Sequence, residues 1–323
     1  QRNRNEALQN IASGNAKLII GTHALFQEKV NFFNLALIVI DEQHRFGVAQ
    51  RMALRDKGIK TSTYPHQLVM TATPIPRTLA MAAYADLDTS IIDELPPGRK
   101  QIKTIVLPNT RRNEVIERVR IMCSKRQQAY WVCPLIEESE NFDFQSAESI
   151  FSILQSSLQE LQIGLIHGRM LSSIKEKTMH SFKNGDIHLL VATTVIEVGI
   201  DNPNATVMMI ENAERFGLTQ LHQLRGRTGR GTKQSYCILV QRKCTPIADH
   251  RLKVMENTSN GFKISDEDLQ LRGPGEFFGK RQHGYMKTKI AEISKDGEII
   301  REARNLAFNI VFKDYDLRLI KHQ

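Results

Sequence analysis

The apolar run Leu35-Ala36-Leu37-Ile38-Val39-Ile40 breaks off into Asp41-Glu42-Gln43-His44, and that junction leaves few folds open. Six residues without a polar interruption suit a strand buried on both faces, as in a parallel sheet covered by helices. Carboxylates that follow such a strand stand at its carboxyl edge, where α/β proteins hold ligands. One can carry a magnesium ion on a nucleotide's phosphates, the next can polarise the attacking water, and a nearby histidine can sense the phosphate state. The competing reading is a strand end with a solvated acidic turn. No Gly-Lys-Thr loop precedes the run, so the amides and lysine that grip phosphates are not in view.

Similar apolar runs recur at 16–20, 67–70, 102–107, 128–135, 163–166, 187–192, 205–210 and 234–240. Amphipathic segments lie between many of them, such as 111–125 (Val115, Ile116, Val119, Met122) and 146–161 (Ile150, Phe151, Leu154, Leu158). Alternation of this kind predicts α/β architecture, with parallel sheets carrying helices on both faces. Asp93-Glu94-Leu95-Pro96-Pro97-Gly98-Arg99-Lys100 interrupts it, because two prolines and a glycine continue neither element. The expected organisation is a first, incomplete sheet unit over 1–98, a second over 99–241, and a small, mostly helical region over 242–323. In that last region 250–257, 266–271 and 292–312 read as helices around a turn-rich middle.

The 44 lysines and arginines exceed the 35 acidic residues, giving a net charge of +9, which favours a polyanionic partner. Cys123, Cys133, Cys237 and Cys244 form no Cys-x-x-Cys pair, which argues against a zinc site or a disulfide framework and for reduced thiols in the cytosol. No apolar stretch reaches the ~20 residues of a membrane span. The opening Gln1-Arg2-Asn3-Arg4 is neither a signal peptide nor an initiating methionine and reads as an internal start. Trp131 and the phenylalanines lack the regular spacing of a base-stacking platform and read as core, as do Met208 and Met209.

Several loops carry chemistry. Met70-Thr71-Ala72-Thr73-Pro74 puts two hydroxyls at a strand end, with Thr73 also suited to cap a helix over 78–84. Thr22-His23-Ala24-Leu25 places a hydroxyl where a helix start holds a phosphate or is simply capped. Gln223-Leu224-Arg225-Gly226-Arg227-Thr228-Gly229-Arg230-Gly231 interleaves arginines with glycines. Glycines admit close backbone approach, and a guanidinium can stabilise charge on a transferring phosphoryl group. Thr193-Thr194 with Gly199 and Asp201 offers hydroxyls, a glycine and an acid in one loop, suited to a backbone phosphate and a ribose. His167 ends another strand run, where a structural role competes with a phosphate contact.

In this order and spacing the boxes resemble motifs Ib, II, III, IV, V and VI of superfamily two helicases. Longer strings resemble the RecG family of bacterial branched-DNA helicases: Gly-Thr-His-Ala-Leu-Phe-Gln (21–27), Asp-Glu-Gln-His-Arg-Phe-Gly-Val (41–48), Asp-Glu-Leu-Pro-Pro-Gly-Arg-Lys (93–100), Val-Cys-Pro-Leu-Ile-Glu-Glu-Ser-Glu (132–140) and Ile-Glu-Asn-Ala-Glu-Arg-Phe-Gly-Leu (210–218). The related transcription-repair coupling factors usually read Asp-Glu-Glu-His and lack the Leu-Pro-Pro-Gly-Arg-Lys segment. The stretch 268–282 resembles a translocation motif common to both families.

The resemblance implies tandem RecA-like domains and ATP hydrolysis with Mg2+ that remodels forks and Holliday junctions, with 3'-5' polarity. It implies Asp41 as the metal ligand, Glu42 as the residue that activates water, and Arg227 and Arg230 as phosphate contacts. His44, Gln223, Asp201, Gly199, Thr71 and Thr73 would bind ATP or couple its hydrolysis. Thr22, His167, Thr193 and Thr194 would meet DNA, and Arg251, Arg272 and Gln282 would serve translocation. Duplex and branched DNA, a monomeric state, a single-strand DNA-binding protein as partner, and a cytoplasmic, nucleoid-associated location follow from the same likeness. With the phosphate loop missing, the alternative expectation is a non-hydrolysing DNA-binding fragment, and this chain by itself is expected to be inactive as an ATPase.

Overall fold

The computed structural model describes residues 2–42, 54, 56–58, 64–72, 88, 90–134, 140–193, 202–242, 245–272, 296–316 and 318. Backbone contacts divide the chain into two units, 1–74 and 75–323.

In the first unit helix α1 (Arg2–Ser13) precedes a 3-10 turn (His23–Phe26) and two strands, β1 (Leu37–Ile40) and β2 (His66–Val69). The strands pair in parallel with Ile40 opposite Val69, so the residues after them leave from one edge. Alternation along β1 sends Ile38 and Ile40 into a small core with Ile11, Val30, Phe32 and Leu54. Leu37, Val39 and Leu68, on the other face, are exposed. The strand expected at 16–20 does not form: those residues are turn and coil, with Leu18 and Ile20 exposed at 81% and 88%. Apolar content without a pairing partner or a surface to cover does not make a strand.

Among the described residues the second unit holds six strands: β3 (Lys103–Pro108), β4 (Gln128–Val132), β5 (Ile163–Ile166), β6 (Leu189–Ala192), β7 (Ala205–Ile210) and β8 (Tyr236–Gln241). Their order is β3-β8-β7-β4-β6-β5, with every pairing parallel. Helices α2 (Arg112–Ser124), α3 (Glu140–Ser157), α4 (Ser172–Asn184) and α5 (Leu218–Arg225) connect them; α6 (Pro246–Asn257), α7 (Gly261–Arg272) and α8 (Gly297–Lys313) follow. The sheet is buried on both faces, which is why its strands read as continuous apolar runs. Tyr130, Val132, Leu190 and Met208 pack with Leu221, Leu224, Leu252 and Met255 on one side. Ala129, Trp131, Val191 and Met209 pack with Val115, Val119, Leu154 and Leu158 on the other. Trp131, Met208 and Met209 are thus core, as expected.

Local chemistry sets the helix ends. Gly185, at φ +90°, closes α4 in the left-handed conformation, with Asp186 N–H on Ser181 O at 3.0 Å. Thr245 starts α6 by accepting from Ala248 N–H at 3.2 Å, with Pro246 in the first turn. That signal lies four residues before the start expected at 250; likewise α3 begins at Glu140 and ends before Leu158 and Leu161.

Candidate nucleotide and DNA site

In the first unit Asp41 and Glu42 follow β1 directly, and Thr71 follows the parallel β2, so all three leave the same sheet edge. Asp41 Oδ1 accepts the Glu42 N–H at 2.8 Å. Glu42 adopts φ +52°, a conformation that costs a residue with a Cβ and is held where surrounding structure dictates it. The turn presents one exposed and one half-buried carboxylate. Magnesium takes hard oxygen ligands, commonly one or two carboxylates completed by substrate phosphates; an exposed Asp41 carboxylate at a strand's carboxyl edge fits that requirement. Among the described residues no cluster of three metal-binding side chains occurs. Thr22 precedes the 3-10 turn, but its side chain makes no capping hydrogen bond.

The second unit places its candidates at two opposite edges of the sheet. At the carboxyl edge, His167 follows β5, Thr193 follows β6 and Glu211 follows β7. These strand ends are stitched side by side: Thr193 N–H donates to Ile166 O at 3.2 Å, Cys133 N–H to Ala192 O at 2.9 Å and Glu211 N–H to Val132 O at 2.9 Å. The Thr193 hydroxyl is buried and has no hydrogen-bond partner among the described residues, an arrangement that costs stability unless something binds there. Burial holds the His167 imidazole below its ordinary pKa, against the pull of Glu148.

Glu211 was not singled out by sequence. It is buried, accepts from Arg112 Nε at 2.6 Å and from Trp131 Nε1 at 3.2 Å, and the Arg112 guanidinium lies 5.4 Å from the Trp131 ring centre. Its partners lie 80 and 99 residues away in sequence, beyond any local pattern.

The arginine loop lies at the amino edge. It runs from the end of α5 into β8, and Gly231 packs where a Cβ would meet Pro203 O, ahead of β7, at 2.7 Å. Gln223, Arg227 and Arg230 are half-buried on it. Arg225, passed over in the sequence reading although it sits in the same motif, is buried as a brace: Nη1 donates to Met255 O at 3.0 Å, Thr258 O at 2.9 Å and Thr104 Oγ1 at 3.2 Å. Thr219 Oγ1 meets Asp268 Oδ2 at 3.0 Å, tying α5 to α7. Arg251 donates to Phe216 O at 3.0 Å and Glu214 O at 2.9 Å, fastening α6 to the turn after β7. Arg272 ends α7. His44, Thr73, Thr194, Gly199, Asp201 and Gln282 lie outside the described residues, as do the helix expected at 78–84 and Cys244. Cys123, Cys133 and Cys237 are buried free thiols, and burial raises the pKa of all three, Cys123 and Cys237 to about 12.

Parallel sheets covered by helices, with acids, hydroxyls and arginines on their edge loops, have the RecA-like architecture of helicase domains. The DEAD/DEAH box helicase family matches residues 1–82 and the helicase conserved C-terminal domain matches 106–232. The family described as ATP-dependent DNA helicase RecG, domain 3, C-terminal, matches 258–322. The ATP-dependent DNA helicase RecG of Escherichia coli O157:H7 is 56% identical over 304 residues, 93% of this chain and 44% of that protein. Its Haemophilus influenzae counterpart is 52% identical over 98% of this chain and 46% of its own length. A solved structure of RecG bound to a three-way DNA junction aligns with TM-score 0.68 and 43% identity, over 93% of this chain and 38% of that one. The chain belongs to the RecG family, and it spans less than half the length of these relatives.

Proposed function

We propose that this chain is the motor portion of an ATP-dependent DNA helicase that remodels forks and Holliday junctions in recombination and repair. The observation that carries the reading is the likeness to the junction-bound RecG structure over 93% of the chain. Functional boundaries at 98/99 and 241/242 divide a carboxylate-bearing unit, an arginine-bearing unit and a helical translocation region.

In the reaction Asp41 would hold Mg2+, and Glu42 would orient and deprotonate the attacking water. The ion would supply neutralisation of phosphate charge. Arg227 and Arg230 stabilise negative charge spreading onto the equatorial oxygens of the transferred phosphoryl group. His44, Gln223, Asp201, Gly199, Thr71 and Thr73 bind the nucleotide or relay its state. Thr22, His167, Thr193 and Thr194 hydrogen-bond DNA phosphates, which positions the strand without reading sequence; the unpartnered Thr193 hydroxyl and the net charge of +9 support this. Arg251, Arg272 and Gln282 transmit nucleotide-driven movement to the duplex with 3'-5' polarity. A monomer in the bacterial cytoplasm at the nucleoid, with a single-strand DNA-binding protein as partner, completes the proposal; among the described residues no helix is long and apolar enough to cross a membrane.

Family membership favours the motor over a non-hydrolysing binding module. In the full-length protein, Glu42→Gln and Arg230→Ala are each expected to cut DNA-stimulated phosphate release by roughly a thousandfold while leaving three-way-junction affinity within about twofold. Undiminished turnover in either variant would remove that residue from the catalytic set.

A further inference from the structure

The segment ahead of β3, which in the sequence interrupts the alternation between the two sheet units, is sewn to the arginine loop. Pro96-Pro97-Gly98-Arg99 forms a turn in which Arg99 N–H donates to Pro96 O at 3.1 Å. Pro97 occupies the second position and Gly98, at φ +79°, the third, the pattern of a type II turn. The prolines and the glycine therefore fix where the Arg99 side chain starts. That side chain is half-buried, and its Nε donates to Gly229 O at 2.7 Å.

Gly229 is itself constrained. It takes φ +68°, and a Cβ there would lie 2.8 Å from Ile102 Cγ1, so the loop backbone rests directly on the residue leading into β3. Beyond it Gln234 Nε2 donates to Gln101 O at 2.9 Å, and Lys103 N–H to Ser235 O at 3.0 Å. A cavity of about 530 Å3 opens where the two segments meet, lined by Pro97, Gly98 and Arg99 from the turn and by Gly226, Arg230 and Gly231 from the loop. The Arg99 bond falls on the residue immediately before Arg230.

We propose that Arg99 is a positioning residue for ATP hydrolysis: by holding the Gly229 carbonyl it fixes the backbone that aims Arg230. The inference rests on Arg230 acting on the phosphoryl group, as proposed above. A three-glycine loop left unheld would leave the guanidinium to search for its place each cycle, and a transition-state donor is effective only when placed beforehand.

The test uses the full-length protein and two nucleotide probes, ADP and ADP–aluminium fluoride, the latter mimicking the transferring phosphoryl group. Arg99→Ala is expected to lower kcat of the DNA-stimulated ATPase about tenfold and weaken ADP–aluminium fluoride binding by a similar factor. ADP affinity and junction affinity should stay within about twofold, a split that loss of folded protein does not produce. Gly98→Ala keeps the guanidinium but strains the turn that aims it, and should show the same split, smaller. Unchanged affinity for the transition-state mimic in Arg99→Ala, or equal weakening of ADP and mimic, would overturn the inference while leaving the role of Arg230 intact. Full hydrolysis by Arg230→Ala would remove both.

Discussion

Arg225 is a buried cation whose charge rests on carbonyl oxygens at the end of a helix. Met255 O and Thr258 O lie at the carboxyl terminus of α6, where the helix dipole is negative and a cation is favoured. Its Nη2 also lies 3.1 Å from His222 Nδ1. Acceptance there puts the His222 proton on Nε2 and requires the ring to be neutral. Burial, and then the charge of Arg225, push the His222 pKa down to about 4. The neutral form is favoured in the fold, so His222 contributes stability that is fully present above its unfolded pKa near 6.5 and is lost as pH falls towards 4. Urea unfolding followed between pH 7 and pH 4.5 should therefore show wild type losing roughly 2 kcal/mol more than His222→Gln. Parallel losses would mean that the histidine is not held neutral. Arg225→Met should cost about 3 kcal/mol at neutral pH, because two helix-end carbonyls and a threonine hydroxyl lose their donor; denaturant midpoints measure it.

The elements of the two units are held very differently. β4 and β6 are buried along their whole lengths and have paired neighbours on both sides, whereas among the described residues β1 and β2 pair only with each other and expose one apolar face. Two strands over a six-residue core are marginal. Amides of 38–40 and 67–69 should exchange with deuterium at least about a hundredfold faster than those of 130–132 and 190–192. The same contrast explains what could be read in the sequence. The eight strands among the described residues were all legible as apolar runs, and β4, β6 and β7 most plainly, because a fully covered parallel strand must be a continuous apolar run. Leu18 and Ile20 carried the same signal and misled, since a run does not announce whether a neighbour exists to pair with it. At the candidate site the acids, hydroxyls and arginines were visible as spaced motifs. Arg99, Arg225 and Glu211 were hidden, because what makes each of them matter is a backbone oxygen or a cation distant in sequence.

At the scale of the molecule, the division at Pro74 and Ile75 separates a small core from one that fills both faces of a six-stranded sheet. Unequal cores in one chain break the condition for two-state unfolding. Trp131 is the sole tryptophan and is buried in the larger unit, so its fluorescence reports that unit and not the other. In a urea titration part of the far-ultraviolet circular dichroism should be lost before Trp131 emission moves; coincident curves would mean that the units unfold as one.

The strand order has a consequence for how the chain is made. β3 leads the sheet in sequence yet pairs with β8, the last strand, and Gly229 lies just ahead of β8. As β3 leaves the ribosome, β8, its one paired neighbour among the described residues, is still about 130 residues from being translated, on the order of ten seconds at ordinary elongation rates. The Arg99 clasp cannot close until then. The loop that carries Arg227 and Arg230 is thus among the last parts of the sheet unit to take shape, and a chain that stalls before residue 236 exposes an unpaired β3 edge to other chains.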